Sequence, residues 1–221
     1  MYQRLIGYAA VMLFGLTITA SVQAQSLVSR YVAGQDYHQA SQPGPARTDG
    51  EIRVAEFFLY SCPHCYHFEH ELNGWREQHP NVAFSRVPVL FSQSSQPYAR
   101  LYYTEVQLGV ADRLHDAIFD AIHQQGRPLV TEAAMRQFMV AHGVEGERFE
   151  AAYESQAVKA KVQKVVARMQ RYQVTAVPSI SVAGRYWVSG RSAGSNERML
   201  KIVDYLIEQA RSDADSPQDP D

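Results

Sequence analysis

The stretch Ile52-Arg53-Val54-Ala55-Glu56-Phe57-Phe58-Leu59-Tyr60, followed after Ser61 by Cys62-Pro63-His64-Cys65, decides how this chain folds. Its first nine residues are β-branched, aromatic and almost continuously apolar, with a single carboxylate at Glu56. That is the pattern of a central strand buried on both faces. From Cys62 to Gln78 the pattern turns helical and stops at Pro80. If Cys62 is the N-cap, Pro63 occupies the first helical position, where its missing N–H costs nothing and its fixed φ suits a helix start. The backbone N–H groups of His64 and Cys65 then point toward the Cys62 sulfur, beside the positive end of the helix dipole.

That placement favours thiolate over thiol at Cys62. Cys65, one turn further in, points into the protein. Cys62 is therefore the sulfur that exchanges with a partner, and Cys65 the one that leaves and returns. Each tenfold gain in Cys62 acidity is about 1.4 kcal/mol, or about 30 mV of oxidising power for a two-electron couple. His64, between the cysteines, can donate a hydrogen bond or carry positive charge toward the nucleophile. His67 and His70 read as a solvated helix face.

Outward from this centre, Tyr31 to Tyr37 forms an N-terminal arm and Ser41-Gln42-Pro43-Gly44-Pro45 a loop. Val82 to Val87 is a second strand. Between 98 and 171 the period becomes 3.6: Leu114, Ala117, Ile118, Ala121 and Ile122 mark one helix, and Met135, Phe138 and Met139 a second, capped by Thr131. Val158, Val162, Val165, Val166 and Met169 stripe a third. Ser179 to Ala183 and Tyr186 to Val188 read as short strands, with a two-residue turn at Gly184-Arg185. A last helix from about Ser195 carries Met199, Ile202, Val203, Leu206 and Ala210 on one face. The acidic, proline-containing tail from Ser212 to Asp221 reads as disordered.

Met1 to Arg4 is a short basic start, Leu5 to Ala20 is apolar and uncharged, and Ser21-Val22-Gln23-Ala24 fits a signal-peptidase site cut after Ala24. The apolar run is shorter than the ~20 residues that span a bilayer, which favours cleavage over an uncleaved anchor. Removal of residues 1–24 leaves 197 residues with a net charge of −3. A weakly acidic chain without a basic block argues against nucleic acid or anionic lipid as the main partner. With 46% hydrophobic and 20% charged residues, the composition is that of a globular protein.

Two cysteines exclude a disulfide-stapled mini-fold and a four-cysteine metal site. Covalent haem attachment needs histidine directly after the second cysteine, and Tyr66 stands there. A mixed metal site from Cys62, Cys65 and histidines lacks the usual spacing. That mixed site stays open as the weaker alternative; redox chemistry at the dithiol, which requires no metal and no bound cofactor, is the better reading, and an export signal suits it.

A strand followed by a helix whose first turn carries Cys-x-x-Cys is the arrangement of thioredoxin-like folds. With Glu56-Phe57-Phe58 before the motif, Tyr66 and Phe68 after it, and Thr175-Ala176-Val177-Pro178 before the hairpin, the chain resembles the DsbA-type disulfide oxidants of the bacterial periplasm over residues 31 to 210. The resemblance implies an α/β, thioredoxin-like fold with an inserted helical domain: first part 25–97, helical insertion 98–171, second part 172–211, tail 212–221. It implies a strongly oxidising dithiol that introduces disulfides into unfolded exported proteins. A quinone-linked membrane protein of the DsbB kind would re-oxidise the chain, which would act as a monomer.

It further implies that the Val177–Pro178 bond is cis and faces the dithiol, where the backbone before it can pair with an extended substrate. Valine at 177 leans toward oxidase over isomerase. Glu56 matches the family's buried acid, placed to exchange a proton with Cys65, and burial should raise its pKa. The family's lysine partner is replaced by Arg86, which can hold the carboxylate charge but cannot release a proton at ordinary pH. The rival enzymatic reading is a disulfide isomerase or reductase. About 27 residues between Ala24 and Ile52 leave no room for the dimerisation domain of periplasmic isomerases. The rival outside enzymes is a peptide- or metal-binding module.

Overall fold

The computed structural model describes residues 30–215. The segment read as an export signal, and residues 216–221, lie outside the described residues. The chain begins with β1 (His38–Gln39), β2 (Arg47–Thr48), β3 (Glu51–Phe58), α1 (Pro63–Gln78) and β4 (Val82–Pro88). Five helices follow: α2 (Gln96–Leu108), α3 (Ala111–His123), α4 (Glu132–Ala141), α5 (Gly146–Tyr153) and α6 (Gln156–Arg171). β5 (Ser179–Val182), β6 (Tyr186–Ser189), α7 (Gly190–Ala193) and α8 (Asn196–Asp215) complete it. This is the thioredoxin-like α/β architecture with a block of helices between β4 and β5.

β3 lies at the centre of the sheet, as its apolar run requires. It runs parallel to β4, with Glu56 opposite Arg86, and antiparallel to β5, with Phe57 opposite Ser179. β5 turns back into β6, whose far edge carries β1, and β2 pairs with the first residues of β3. β1 and β2 are two residues long, too short to leave a period in the sequence.

The sheet sorts its apolar side chains onto two faces. On one, Val54, Ile180 and Val188 meet Phe68 and Leu72 of α1 and Met199, Ile202, Val203 and Leu206 of α8. On the other, Phe57 and Val87 meet Tyr172, Val174 and Trp187. A third cluster fills the helical block and runs without a break into the active-site segment, joining Leu101, Ile118, Phe138 and Val165 to Phe58, Tyr60 and Cys65. Thr131 caps α4, its side chain accepting from the Ala134 N–H at 3.2 Å.

Four readings of the sequence need correction or addition. Val166 is 46% exposed, because it lies beside the Val158-Val162-Val165 line and turns away from the core. The hairpin loop is Ala183 to Arg185, not a two-residue turn at Gly184-Arg185: Val182 pairs with Tyr186, and Ala183 and Gly184 both have positive φ, 53° and 64°. Gly184 also packs where no side chain fits, since a Cβ there would lie 2.7 Å from the carbonyl oxygens of Gly44 and Pro45. Residues 212–215 continue α8 rather than the tail, with Asp213 3.3 Å from Arg185 Nη1. Finally, α5 and α7 carry too few turns to show a stripe, although Phe149, Ala152 and Tyr153 of α5 are buried.

Candidate active site

Cys62 is the N-cap of α1, with φ −91° and ψ 114°, and Pro63 stands in the first turn. Its carbonyl accepts from the Tyr66 N–H at 3.1 Å, and its own N–H donates to Leu59 O at 2.9 Å. Both cysteines are free thiols; Cys62 is half-buried and Cys65 fully buried. The hydrogen bond from the Cys65 thiol is the largest influence drawing the Cys62 pKa down, to about 6. Burial works against it, and the backbone N–H groups of Cys65 and His64, then the charge of His64, assist. Cys65 is pushed well up, first by burial, then by its bond to Cys62 and by the nearby Cys62 and Glu56 charges. The Val177–Pro178 bond is cis, and Cys62 Sγ lies 4.0 Å from the Val177 carbonyl oxygen.

Beneath the helix, Glu56 is fully buried and accepts from Arg86 Nε at 3.0 Å. Arg86 also donates through Nη2 to Glu69 Oε2 at 2.7 Å and to Asn73 Oδ1 at 3.2 Å. Burial, then the charge of Glu69, raise the Glu56 pKa well above the carboxylate range, against the pull of Arg86. At Glu69 burial pushes up, but hydrogen bonds with His115 and Arg86 hold the carboxyl well below it. Burial opposes the Arg86 charge, yet the two acids keep its guanidinium protonated. Among the described residues, Glu56, Glu69 and His115 offer ligand atoms within 4.8 Å of one another. The cation these acids meet is the Arg86 guanidinium.

A half-buried cysteine beside a cis-proline, over a buried acid, is the geometry of a thiol–disulfide exchange site. The family model for DsbA-like thioredoxin domains matches residues 53–201. The chain belongs to that family. It is 40% identical to the thiol:disulfide interchange protein DsbA of Pseudomonas aeruginosa over 185 residues, 83% of this chain and 88% of that one. Against DsbA of Azotobacter vinelandii the identity is again 40%, over 192 residues, covering 86% and 90%. The crystal structure of Pseudomonas aeruginosa DsbA superposes with a TM-score of 0.79 at 39% identity, covering 84% of this chain and 97% of that chain. For the oxidoreductase DsbA of Xylella fastidiosa the TM-score is 0.76 at 34% identity, with 82% and 98% covered.

In this DsbA-like chain the structure brings Cys62, Cys65, Pro63, His64, Val177 and Pro178 together at the tip of α1, with Glu56 and Arg86 below. His67 and His70 are exposed. The sequence reading missed Glu69, Tyr60, Glu105, His115 and His123. One signal was available: Glu69 stands four residues after Cys65 and so shares its inward face. The others come from elsewhere in the chain. His123 Nε2 lies 2.8 Å from the Tyr60 carbonyl oxygen, and Tyr66, stacked on His123, donates to Asp120 Oδ1 at 2.9 Å. These contacts tie α3 to the segment that leads into Cys62.

Proposed function

We propose that the chain oxidises the thiols of exported proteins by giving up a Cys62–Cys65 disulfide. The observation that carries this reading is the opposed acidity of the two sulfurs, low at half-buried Cys62 and high at buried Cys65. A substrate thiolate attacks Cys62 Sγ, the Cys62–Cys65 bond breaks, and its electron pair leaves on Cys65. Glu56, neutral in its buried site, gives Cys65 a proton. A second substrate thiolate then attacks the substrate sulfur of the mixed disulfide, and Cys62 departs as a thiolate. The substrate has lost two electrons and the chain has gained them.

Pro63 and His64 shape the thiolate site, and in this reading the backbone at Val177, before Pro178, pairs with an extended substrate strand. Re-oxidation by a quinone-linked membrane protein, action as a monomer, and residence in the periplasm after cleavage at Ala24 follow the family resemblance and the pattern of residues 1–24. No helix of the described residues is long and apolar enough to cross a membrane.

The test is the redox potential of the purified dithiol against glutathione, with the Cys62 thiolate titrated by ultraviolet absorbance. A titration midpoint of about 6 and a potential above that of glutathione are expected. A thiol still protonated at neutral pH, with a reducing potential, would overturn the reading. Glu56→Gln is expected to slow the step at Cys65 roughly tenfold or more while leaving the Cys62 titration in place, because Glu56 acts on Cys65 and not on Cys62. An unchanged exchange rate would remove Glu56 from the mechanism.

The lowered Cys62 pKa also makes stability depend on pH. Its stabilising contribution to the reduced protein is complete above the ordinary thiol value of 9.0 and disappears as pH falls through about 6. Urea unfolding of the reduced protein should therefore show this contribution, about 1 kcal/mol at pH 7, fading toward pH 5. A Cys62→Ser variant should lack it.

A further inference from the structure

The turn that delivers the chain into Cys62 is held from outside. Cys62 N–H donates to Leu59 O at 2.9 Å, which closes a β-turn with Tyr60 and Ser61 at its centre. Such a turn satisfies the carbonyl of its first residue and leaves that of the second, here Tyr60, without a partner inside the turn. Ser61 keeps a negative φ. Turning the Tyr60–Ser61 peptide over would drive Ser61 to positive φ, a conformation that favours glycine. The direction of the Tyr60 carbonyl therefore fixes the form of the turn.

His123, the last residue of α3, meets that carbonyl, with Nε2 2.8 Å from Tyr60 O. A carbonyl oxygen can only accept, so Nε2 is the donor, and it carries a proton whether the ring is neutral or charged. The same ring lies against Tyr66, the residue after Cys65, with centroids 5.0 Å and planes 14° apart. Tyr66 is fastened at both ends: its N–H donates to Cys62 O at 3.1 Å, and its hydroxyl to Asp120 Oδ1 at 2.9 Å. The Tyr60 side chain is fully buried, its hydroxyl donating to the two Glu105 oxygens at 3.0 and 2.9 Å. One imidazole thus touches the chain on both sides of the dithiol.

We infer that His123 is a positioning residue for Cys62, whose bond to the Tyr60 carbonyl locks the turn that presents the sulfur. The inference deepens the proposed function and rests on its reading of Cys62 as the exchanging sulfur. The thiolate is favoured only while Cys62 stays at the N-cap of α1, where the His64 and Cys65 N–H groups reach it. A turn free to rotate carries the Cys62 backbone away from that geometry and misaligns the sulfur for attack. Because the residue that prevents this stands on α3, the helical block takes part in the exchange chemistry without touching the sulfur.

Two substitutions separate the bond from the ring. His123→Phe keeps the stack on Tyr66 and removes the donor. His123→Gln loses the ring and keeps an N–H donor at a similar reach. His123→Phe is expected to move the Cys62 titration upward and to slow disulfide exchange with glutathione roughly two- to tenfold, the range of one hydrogen bond. His123→Gln should recover most of both. A His123→Phe protein with the parent's titration and rate overturns the inference. So does a His123→Gln protein no better than His123→Phe, since the ring and not the bond would then be at work. Nitrogen-15 NMR of the parent needs no variant: His123 must show a protonated Nε2, and a ring protonated on Nδ1 alone overturns the inference. A parent that cannot exchange with glutathione sinks the proposed function instead, while the Cys62 titrations and the NMR still decide the role of His123.

Discussion

Replacing Arg86 by methionine is expected to destabilise the reduced protein by about 3–5 kcal/mol, the range for removing one member of a buried ion pair. The guanidinium is 6% exposed and bridges Glu56 and Glu69, whose side chains are 0% and 5% exposed. Methionine fills much of the same volume, so the loss reports charge compensation more than packing. Without Arg86 the cluster holds Glu69 as an anion whose remaining support is His115. Losing the guanidinium must raise the Glu69 pKa, so the penalty is greatest where the carboxyl is ionised and shrinks as falling pH protonates it. Urea unfolding at pH 7 and pH 5 measures both effects. Adding Glu69→Gln should recover part of the loss. Equal unfolding midpoints for parent and Arg86→Met would show that the acids do not depend on the guanidinium.

Cys65→Ala should abolish catalytic oxidation entirely, since no internal disulfide can form. Its more informative effect falls on Cys62. The Cys65 thiol is the largest influence lowering the Cys62 pKa, ahead of the backbone N–H groups and His64. The ultraviolet thiolate titration of the variant should therefore move upward from about 6, while His64→Ala should move it less. If Cys65→Ala leaves the midpoint in place, the helix terminus alone holds the thiolate. The sequence reading assigned the acidity to the helix N-terminus and His64. In the structure the neighbouring sulfur contributes more, because the buried Cys65 thiol one turn away donates a hydrogen bond to the half-buried Cys62 sulfur.

What could be read without coordinates was local or patterned. Cys62 as N-cap, Pro63 after it and Cys65 one turn inside are facts of a single helical turn, and the structure places them so. β3 declared itself by an apolar run too long and too β-branched for anything but a buried strand. The stripes of α3, α4, α6 and α8 were legible because each repeats over several turns. β1, β2, α5 and α7 were not, since two to eight residues do not establish a period. Glu56 opposite Arg86 was found through family resemblance, which supplied the register that neither residue reveals by itself.

The sequence by itself determined the chemistry of the dithiol, because the geometry that divides the two sulfurs lies within four consecutive residues and the helix they begin. Only the tertiary structure decided the proton environment beneath it. Glu69, Tyr60, Glu105 and His115 come from α1, the segment after β3, α2 and α3, and 46 residues separate His115 from Glu69. Each is an ordinary polar residue in its own stretch of chain. Their buried hydrogen bonds, and the charge state these impose, exist only once the helical block closes over the sheet and excludes water, because desolvation depends on what surrounds a group in space.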